Sequence, residues 1–398
     1  MTFRWRKRNI PKPISIPKPI MFTSHIDTLA VEVLIRIFEL RVEEARDDGA
    51  ALLSLARVCK HWKDAAFHHP RLWATLHPKF LLPPGPYGST DVQAPTERFV
   101  EYLQRWYARA GDLPLSLNVM FHPAPANTFF AYLLDCPRWC SLRFNNTGVG
   151  RDIGNWPRTL SVEFRKRNRP GDAGPPWPSL TVLEINASSC IANIPNISSE
   201  YRVSSVRSMA PNLRDFTLDV GGFNTTAMFS NFEGFSWEGL TRFALHGIDE
   251  DRDPTFIYHI LTQAQNLQTL SLKKARLQSW REMPQSIPGV RIPPAPDLPI
   301  VHHKLCHVVS NLGDDLLEAI VKNVRFPSMR SLQLITLAPD SLFPLLQEVC
   351  WINPSFWPEL REFSFGSAII PHVVKKGDED FDTFRDAPEA WWASRYSG

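Results

Sequence analysis

Apolar positions recur along this chain with two different periods, and the change from one to the other divides it. Between residues 29 and 76 the period is helical. In LAVEVLIRIFEL (29–40) the polar residues Glu32, Arg36 and Glu39 are spaced i, i+4 and i+7 and form one narrow stripe. That leaves Leu29, Val33, Ile37 and Leu40 on one side and Val31, Leu34, Ile35 and Phe38 on others, which predicts a helix, capped by Asp27 or Thr28, that is apolar over most of its circumference. In LLSLARVCKHWKDAAFHHPRLWATL (52–76), Leu52, Leu55, Ala56, Cys59, Trp62 and Ala66 keep helical spacing against Arg57, Lys60, His61 and Asp64, and Leu53, Val58 and Phe67 widen the apolar face. Pro70 ends this helix near His68 or His69, and Leu72, Trp73 and Leu76 follow as a short turn. A block of about 50 residues lacks the mass to cover two such helices on every side, so part of its apolar surface awaits a partner.

From residue 113 onward the period shortens. The pattern apolar-x-x-apolar-x-apolar starts at 180 (LTVLEI), 213 (LRDFTL), 240 (LTRFAL), 267 (LQTLSL), 329 (MRSLQL) and 360 (LREFSF), at intervals of 33, 27, 27, 62 and 31 residues. The 62-residue gap predicts a degenerate unit near LCHVVS (305–310), its register lost to a Pro-rich insertion at 283–299, and WCSLRF (139–144) is a weaker early copy. Each copy ends in alternation, hence in a strand with one buried edge that only stacked neighbours can cover. Alternation alone names Thr181, Arg214, Thr241, Gln268 and Arg330 as strand-face residues that would line a concave surface, and it leaves open which side of the sheet they take, so the substrate-binding residues stay unknown. The pattern resembles leucine-rich repeats, with the usual Asn or Cys after the last leucine missing, so the expected fold is mixed α+β or α/β: a small helical block followed by an irregular solenoid. Between the two lie the breaker LLPPGPYGSTDVQAP and a helix over 96–110, capped by Thr96 and stopped by Gly111. The expected division is 1–24 basic Pro-rich tail, 25–78 helical block, 79–112 linker and helix, 113–372 repeat domain and 373–398 tail.

Composition narrows the function classes. A net charge of +3 over 398 residues is too small to argue for a nucleic-acid partner, and none is expected. Six cysteines without a C-x-x-C pair are too sparse for a disulfide scaffold and suit a reducing compartment, cytoplasmic or nuclear. Residues 1–24 hold six basic and no acidic residues around a repeated PKPI, an exposed extended tail in which RWRKR is an alternative nuclear address. The longest uncharged run, 113–134, carries three prolines, a histidine and two asparagines, which excludes it as a membrane span, and the four N-x-S/T sequons mean little without an export signal. No G-x-S-x-G, P-loop or H-E-x-x-H is present, GVGRDIG (148–154) has the wrong spacing for a dinucleotide loop, and Cys136 and Cys140 read as two buried thiols. VHHKLCH gathers His302, His303, Cys306 and His307, a possible zinc set that reads better as a packed loop. No cofactor, no metal and no catalytic residue is expected.

The order and spacing of LAVEVLIRIFEL, LLSLARVCKHWKDAA and HPRLW, about 50 residues in all, resemble an F-box. Two departures are Ala30, where a proline usually follows the first leucine, and RVEEARDDGA, which lengthens the link between the first helices. The resemblance implies docking on the Skp-family adaptor of a cullin-RING ubiquitin ligase, with the C-terminal domain holding a substrate and no catalysis in the chain itself. It implies an adaptor interface formed or supported by Leu29, Val33, Leu34, Ile37 and Phe38, then Val58, Cys59, Lys60 and Trp62, then Leu72 and Trp73. A scaffold that uses the same two surfaces outside a ligase is the alternative.

Overall fold

In a computed structural model of the chain the described residues are 29–45, 49–82, 92–122, 124–146, 160, 162–164, 166, 174–187, 204–223, 235–248, 254–274, 299–311, 320, 322–335, 359–366 and 371–375. The basic tail 1–24, the caps Asp27 and Thr28, the glycine segment 148–154, nearly all of the insertion 283–299 and the tryptophans Trp391 and Trp392 lie outside them.

The fold is mixed: a helical N-terminal region, then a sheet of mostly parallel strands. The first region comprises α1 (Val31–Ala45), α2 (Ala50–Leu55), α3 (Lys60–Phe67) and a 3-10 turn at Pro70–Trp73. α1 starts later than its pattern suggests and runs on through RVEEA, because Val42 packs on the core while Arg36–Glu39 and Arg41–Glu44 pair along its exposed side. The expected single helix over 52–68 is a correction: it breaks at 56–59, where Cys59 is extended (φ −157°, ψ 174°) and precedes α3. The break turns α3 back onto α1, and no glycine or proline announces it.

Two short strands, β1 (Thr75–Leu76) and β2 (Lys79–Leu81), follow immediately and both pair in parallel with β3 (Leu115–His122). The end of the helical region is therefore stitched into the sheet. Between them α4 (Gln93–Tyr107) sets Trp106 4.6 Å from Trp73, and Arg109 lies over Trp73 at 4.6 Å and Phe67 at 5.1 Å. Thr96, expected as the cap, is a buried residue inside α4; its hydroxyl donates to Val92 O and accepts the Ala126 N–H, tying α4 to the next helix, α5 (Asn127–Asp135). Gly111 does stop the helix, at φ 58°.

Each quoted motif forms a strand, and successive motifs are neighbours. They are β4 (Trp139–Asn146), β5 (Val182–Ala187), β6 (Asp215–Phe223), β7 (Arg242–Ile248) and β8 (Thr269–Lys274). After the small β9 (Ile300–Val301) come β10 (His307–Asn311), β11 (Val324–Arg325), which pairs with β9, then β12 (Ser331–Ile335), β13 (Glu362–Gly366) and β14 (Pro371–Lys375). The main sheet runs β1-β3-β4-β5-β6-β7-β8-β10-β12-β13-β14, parallel up to β13, with β14 antiparallel at its end. β10 is the degenerate unit, seated between β8 and β12. The leading apolar residue of each unit (Leu180, Leu213, Leu240, Leu267, Leu305, Met329, Leu360) is wholly buried two residues before its strand.

Alternation then builds two apolar rows in register. One runs Leu142, Leu183, Phe216, Phe243, Leu270, Val308, Leu332 and Phe363; the other runs Phe144, Ile185, Leu218, Leu245, Leu272, Ser310 and Leu334. Return helices cover these rows, among them Thr255–Gln263 with Phe256, Ile257, Ile260 and Leu261 buried. Ser310 is the one polar member of the two rows, 2% exposed, and its hydroxyl has no hydrogen-bond partner among the described residues. Replacing Ser310 with alanine removes an unsatisfied buried group and is expected to raise stability by about 1 kcal/mol in urea unfolding; an unchanged or lower midpoint would reveal a partner for the hydroxyl.

The opposite face of the strands is polar. Arg143 faces Glu184 at 3.7 Å, Arg242 faces Asp215 at 3.8 Å and His246 faces Asp219 at 3.6 Å across neighbouring strands. Burial pushes the Asp215 carboxyl above its ordinary range, and Arg242 and Arg143 oppose that shift. Thr181, Arg214, Thr241, Gln268 and Arg330, named by alternation as strand-face residues, lie outside the strands and so on neither face. They precede the strands, because the two-residue step after the leading apolar residue shifts the parity of the alternation. An unforeseen tie acts at the same edge: Asn212 donates to Pro178 O (2.8 Å) and Asn266 to Glu238 O (2.7 Å), linking turns of successive units.

Candidate interaction surface

α1 is amphipathic in an unusual sense: both of its wide faces are apolar, and only one finds a core. Leu34 and Phe38, one turn apart, are wholly buried, with Phe38 5.3 Å from the Trp62 ring. On the neighbouring face, roughly 110° round the helix, Val33 (47% exposed), Ile37 (37%) and Leu40 (50%) follow each other at i, i+4 and i+7 and remain in contact with solvent. Three branched side chains in one stripe are a contiguous apolar surface; covering them contributes about 1 kcal/mol each, given that they start half-exposed.

His61 Nε2 lies 3.2 Å from Leu29 O and joins the start of α3 to the start of α1. This brings the turn 57–60, with Val58 56% exposed and Lys60 exposed, to the N-terminal end of α1. The residues expected at the interface therefore divide. Val33, Ile37, Val58 and Lys60 face solvent; Leu29, Cys59 and Trp62 are half-buried; Leu34, Phe38, Leu72 and Trp73 are core. Trp73 is fixed by its Nε1–H donating to Ala66 O at 2.9 Å. Trp62 is half-buried at the boundary, and its buried Nε1 has no hydrogen-bond partner among the described residues. Leu40 was not among the expected interface positions, although its i+7 spacing from Val33 already carried the signal.

The rival chemistry fares differently. Both ring nitrogens of buried His302 are committed: Nε2–H donates to Ala264 O at 2.9 Å and Nδ1 accepts the Leu305 N–H at 3.1 Å, so the ring is a structural bridge and has no lone pair for zinc. Among the described residues no group of three or more His, Cys, Asp or Glu could hold a metal ion. Cys136 and Cys140 are half-buried free thiols, and burial raises the Cys140 pKa, which disfavours the nucleophilic thiolate. Among the described residues, no helix is long and apolar enough to cross a membrane.

Burial also lowers the His302 pKa below 6.5, partly offset by its hydrogen bond to Ala264. The unfolded chain then binds the extra proton first, so the contribution of neutral His302 is complete above about pH 6.5 and is lost as the pH falls below it toward the folded pKa. The urea midpoint of the protein is expected to fall between about pH 7 and pH 5, and to fall less in His302→Gln; equal slopes in both proteins would remove His302 as the cause.

Comparison of the whole chain with curated proteins finds no match. The family comparison does find one, over the segment that holds α1, α2, α3 and the exposed stripe. F-box domains typically bind a Skp adaptor within cullin-RING ligases and are generally non-catalytic. Residues 27–79 match the F-box-like family, and the chain carries an F-box-like domain.

Proposed function

We propose that this chain is the substrate-recognition subunit of an SCF-type ubiquitin ligase, its F-box docking on the Skp adaptor and its repeat sheet holding the target protein. One observation carries the reading: within the matched domain, α1 keeps Val33, Ile37 and Leu40 exposed on a face beside the one that Leu34 and Phe38 bury in the core. In this reading those three residues, with Val58 and Lys60, touch the adaptor. Leu29, Cys59 and Trp62 form the border, while Leu34, Phe38, Leu72 and Trp73 hold the contacting helices in place.

The same reading takes 25–78 as the docking module, 79–112 as its connection and 113–372 as an irregular leucine-rich-repeat-like solenoid that presents one polar face to a protein substrate. The chain itself transfers no ubiquitin and acts in the cytoplasm or nucleus. The pairing of β1 and β2 with β3 supports a fixed angle between adaptor and substrate, since a parallel ladder does not hinge at that point.

The test is capture of the tagged full chain from cells, probed for the adaptor, a cullin and ubiquitin chains on co-captured proteins. All three together support the receptor. Adaptor without cullin or ubiquitin chains supports the scaffold instead.

A further inference from the structure

The edge of the sheet at which the parallel strands begin carries unpaired positive charge. There the backbone forms one continuous row: Arg214 N–H donates to Thr181 O, Thr241 to Arg214, Gln268 to Thr241, Cys306 to Gln268, Arg330 to Cys306 and Arg361 to Arg330, all at 2.8–2.9 Å. Arg330 and Arg361 are thus one strand apart, both exposed, and neither has an ion-pair partner among the described residues. Like charges on adjacent strands repel, so such a pair persists at a cost unless an anion covers it. Further along the edge, Arg207, Arg214 and Lys304 line a groove of about 380 Å³ that holds a single carboxylate, Glu238. Arg207 cannot swing away freely: its Nη1 donates to Leu213 O, and its guanidinium lies so close to Gly239 that any Cβ there would overlap it. Glu359 and Glu362 are the acidic residues at the far end of this edge, beside Arg361.

β14 determines what arrives there. It runs antiparallel to β13, with Pro371 opposite Gly366 and Lys375 opposite Glu362, so the chain leaves the sheet at this basic edge, next to Arg361. The sequence that follows, KGDEDFDTFRDAPE (376–389), holds six carboxylates (Asp378, Glu379, Asp380, Asp382, Asp386, Glu389) against Lys376 and Arg385. From β14 to β6 the sheet spans six strand steps, about 29 Å at ~4.8 Å per step, and an extended segment of this length reaches about 45 Å.

We propose that the acidic segment 378–389 docks on its own chain along this edge, over Arg361 and Arg330 and on toward Lys304 and Arg214. Exposed ion pairs are individually weak, but a tether this short supplies an effective concentration in the millimolar range, so even a millimolar intrinsic affinity gives substantial occupancy. An acidic peptide from another protein would then have to displace it. The inference does not depend on adaptor docking and stands or falls without it.

Lys304 gives a direct readout, since its amine can be coupled to a touching carboxylate by a zero-length carbodiimide. In the intact chain at about 20 mM salt, mass spectrometry is expected to find Lys304 joined to residues 378–389. The yield should fall at least about fivefold at 0.5 M salt, where the Debye length shrinks to a few Å, and by a similar factor in Arg330→Glu/Arg361→Glu. An equal mixture of isotopically light and heavy chains should give cross-links within one chain; links between chains would make a second copy the occupant and overturn the proposal. Coupling of Lys304 to added polyglutamate, in an intact chain whose own 378–389 does not couple, would assign the edge to an external acidic partner and likewise overturn it. So would coupling of Lys304 to Glu238 alone.

Discussion

Gly49→Ala will unfold this protein at markedly lower urea, with a loss of about 3 kcal/mol. Gly49 sits at φ 88°, where a residue with a Cβ costs about 1–2 kcal/mol, and the added methyl would overlap the Trp106 indole. That ring has no room to yield: it is 2% exposed and packed 4.6 Å from Trp73, which the bond to Ala66 O fixes in turn. Overpacking a rigid site of this kind adds about 1–3 kcal/mol. Combining Gly49→Ala with Trp106→Leu should recover part of the loss, the sign of a direct contact in a double-mutant cycle. If Gly49→Ala is neutral, the helical region is not locked against α4 as described.

Val33→Asp/Ile37→Asp will do the opposite, leaving the fold intact and removing the partner. Both side chains are exposed, so the melting temperature should move by no more than about 2 °C, within the range of ordinary surface changes. Two carboxylates buried in an apolar interface without counter-charges should weaken adaptor binding at least about 100-fold, which is 2.7 kcal/mol. Phe38→Ala is the contrasting variant: it removes a wholly buried ring that packs on Trp62 and is expected to cost about 3–5 kcal/mol of stability. For the same reason Trp62→Ala disturbs the core as well as the boundary, and a loss of binding in that variant alone would prove little.

What the sequence disclosed depended on whether periodicity or local geometry decided the outcome. Every apolar-x-x-apolar-x-apolar motif became a strand, and even LCHVVS took its place as β10, because two alternating apolar residues leave a strand only one way to face a core. Alternation did not disclose that Thr181, Arg214, Thr241, Gln268 and Arg330 precede their strands, since the leading apolar residue belongs to the turn before the strand and alternation begins after it. The break at Cys59 was invisible, as nothing in ARVCKHW disfavours a helix and the bend is imposed by packing α3 onto α1. Thr96 was read as a cap on residue type alone, whereas its hydroxyl bonds back within the helix and across to Ala126. In the candidate surface, the stripe Val33–Ile37–Leu40 was legible as helical spacing. Which of two apolar faces joins the core was not, because hydrophobicity is the same on both and only the position of Phe38 against Trp62 decides it.

The most direct measurement is calorimetric titration of the intact chain with a purified Skp-family adaptor. Sub-micromolar, one-to-one binding with a negative heat-capacity change, lost in Val33→Asp/Ile37→Asp at unchanged melting temperature, is the predicted result. No binding by the unmodified chain, or equal binding by the double variant, would contradict the assignment of that stripe as the docking surface.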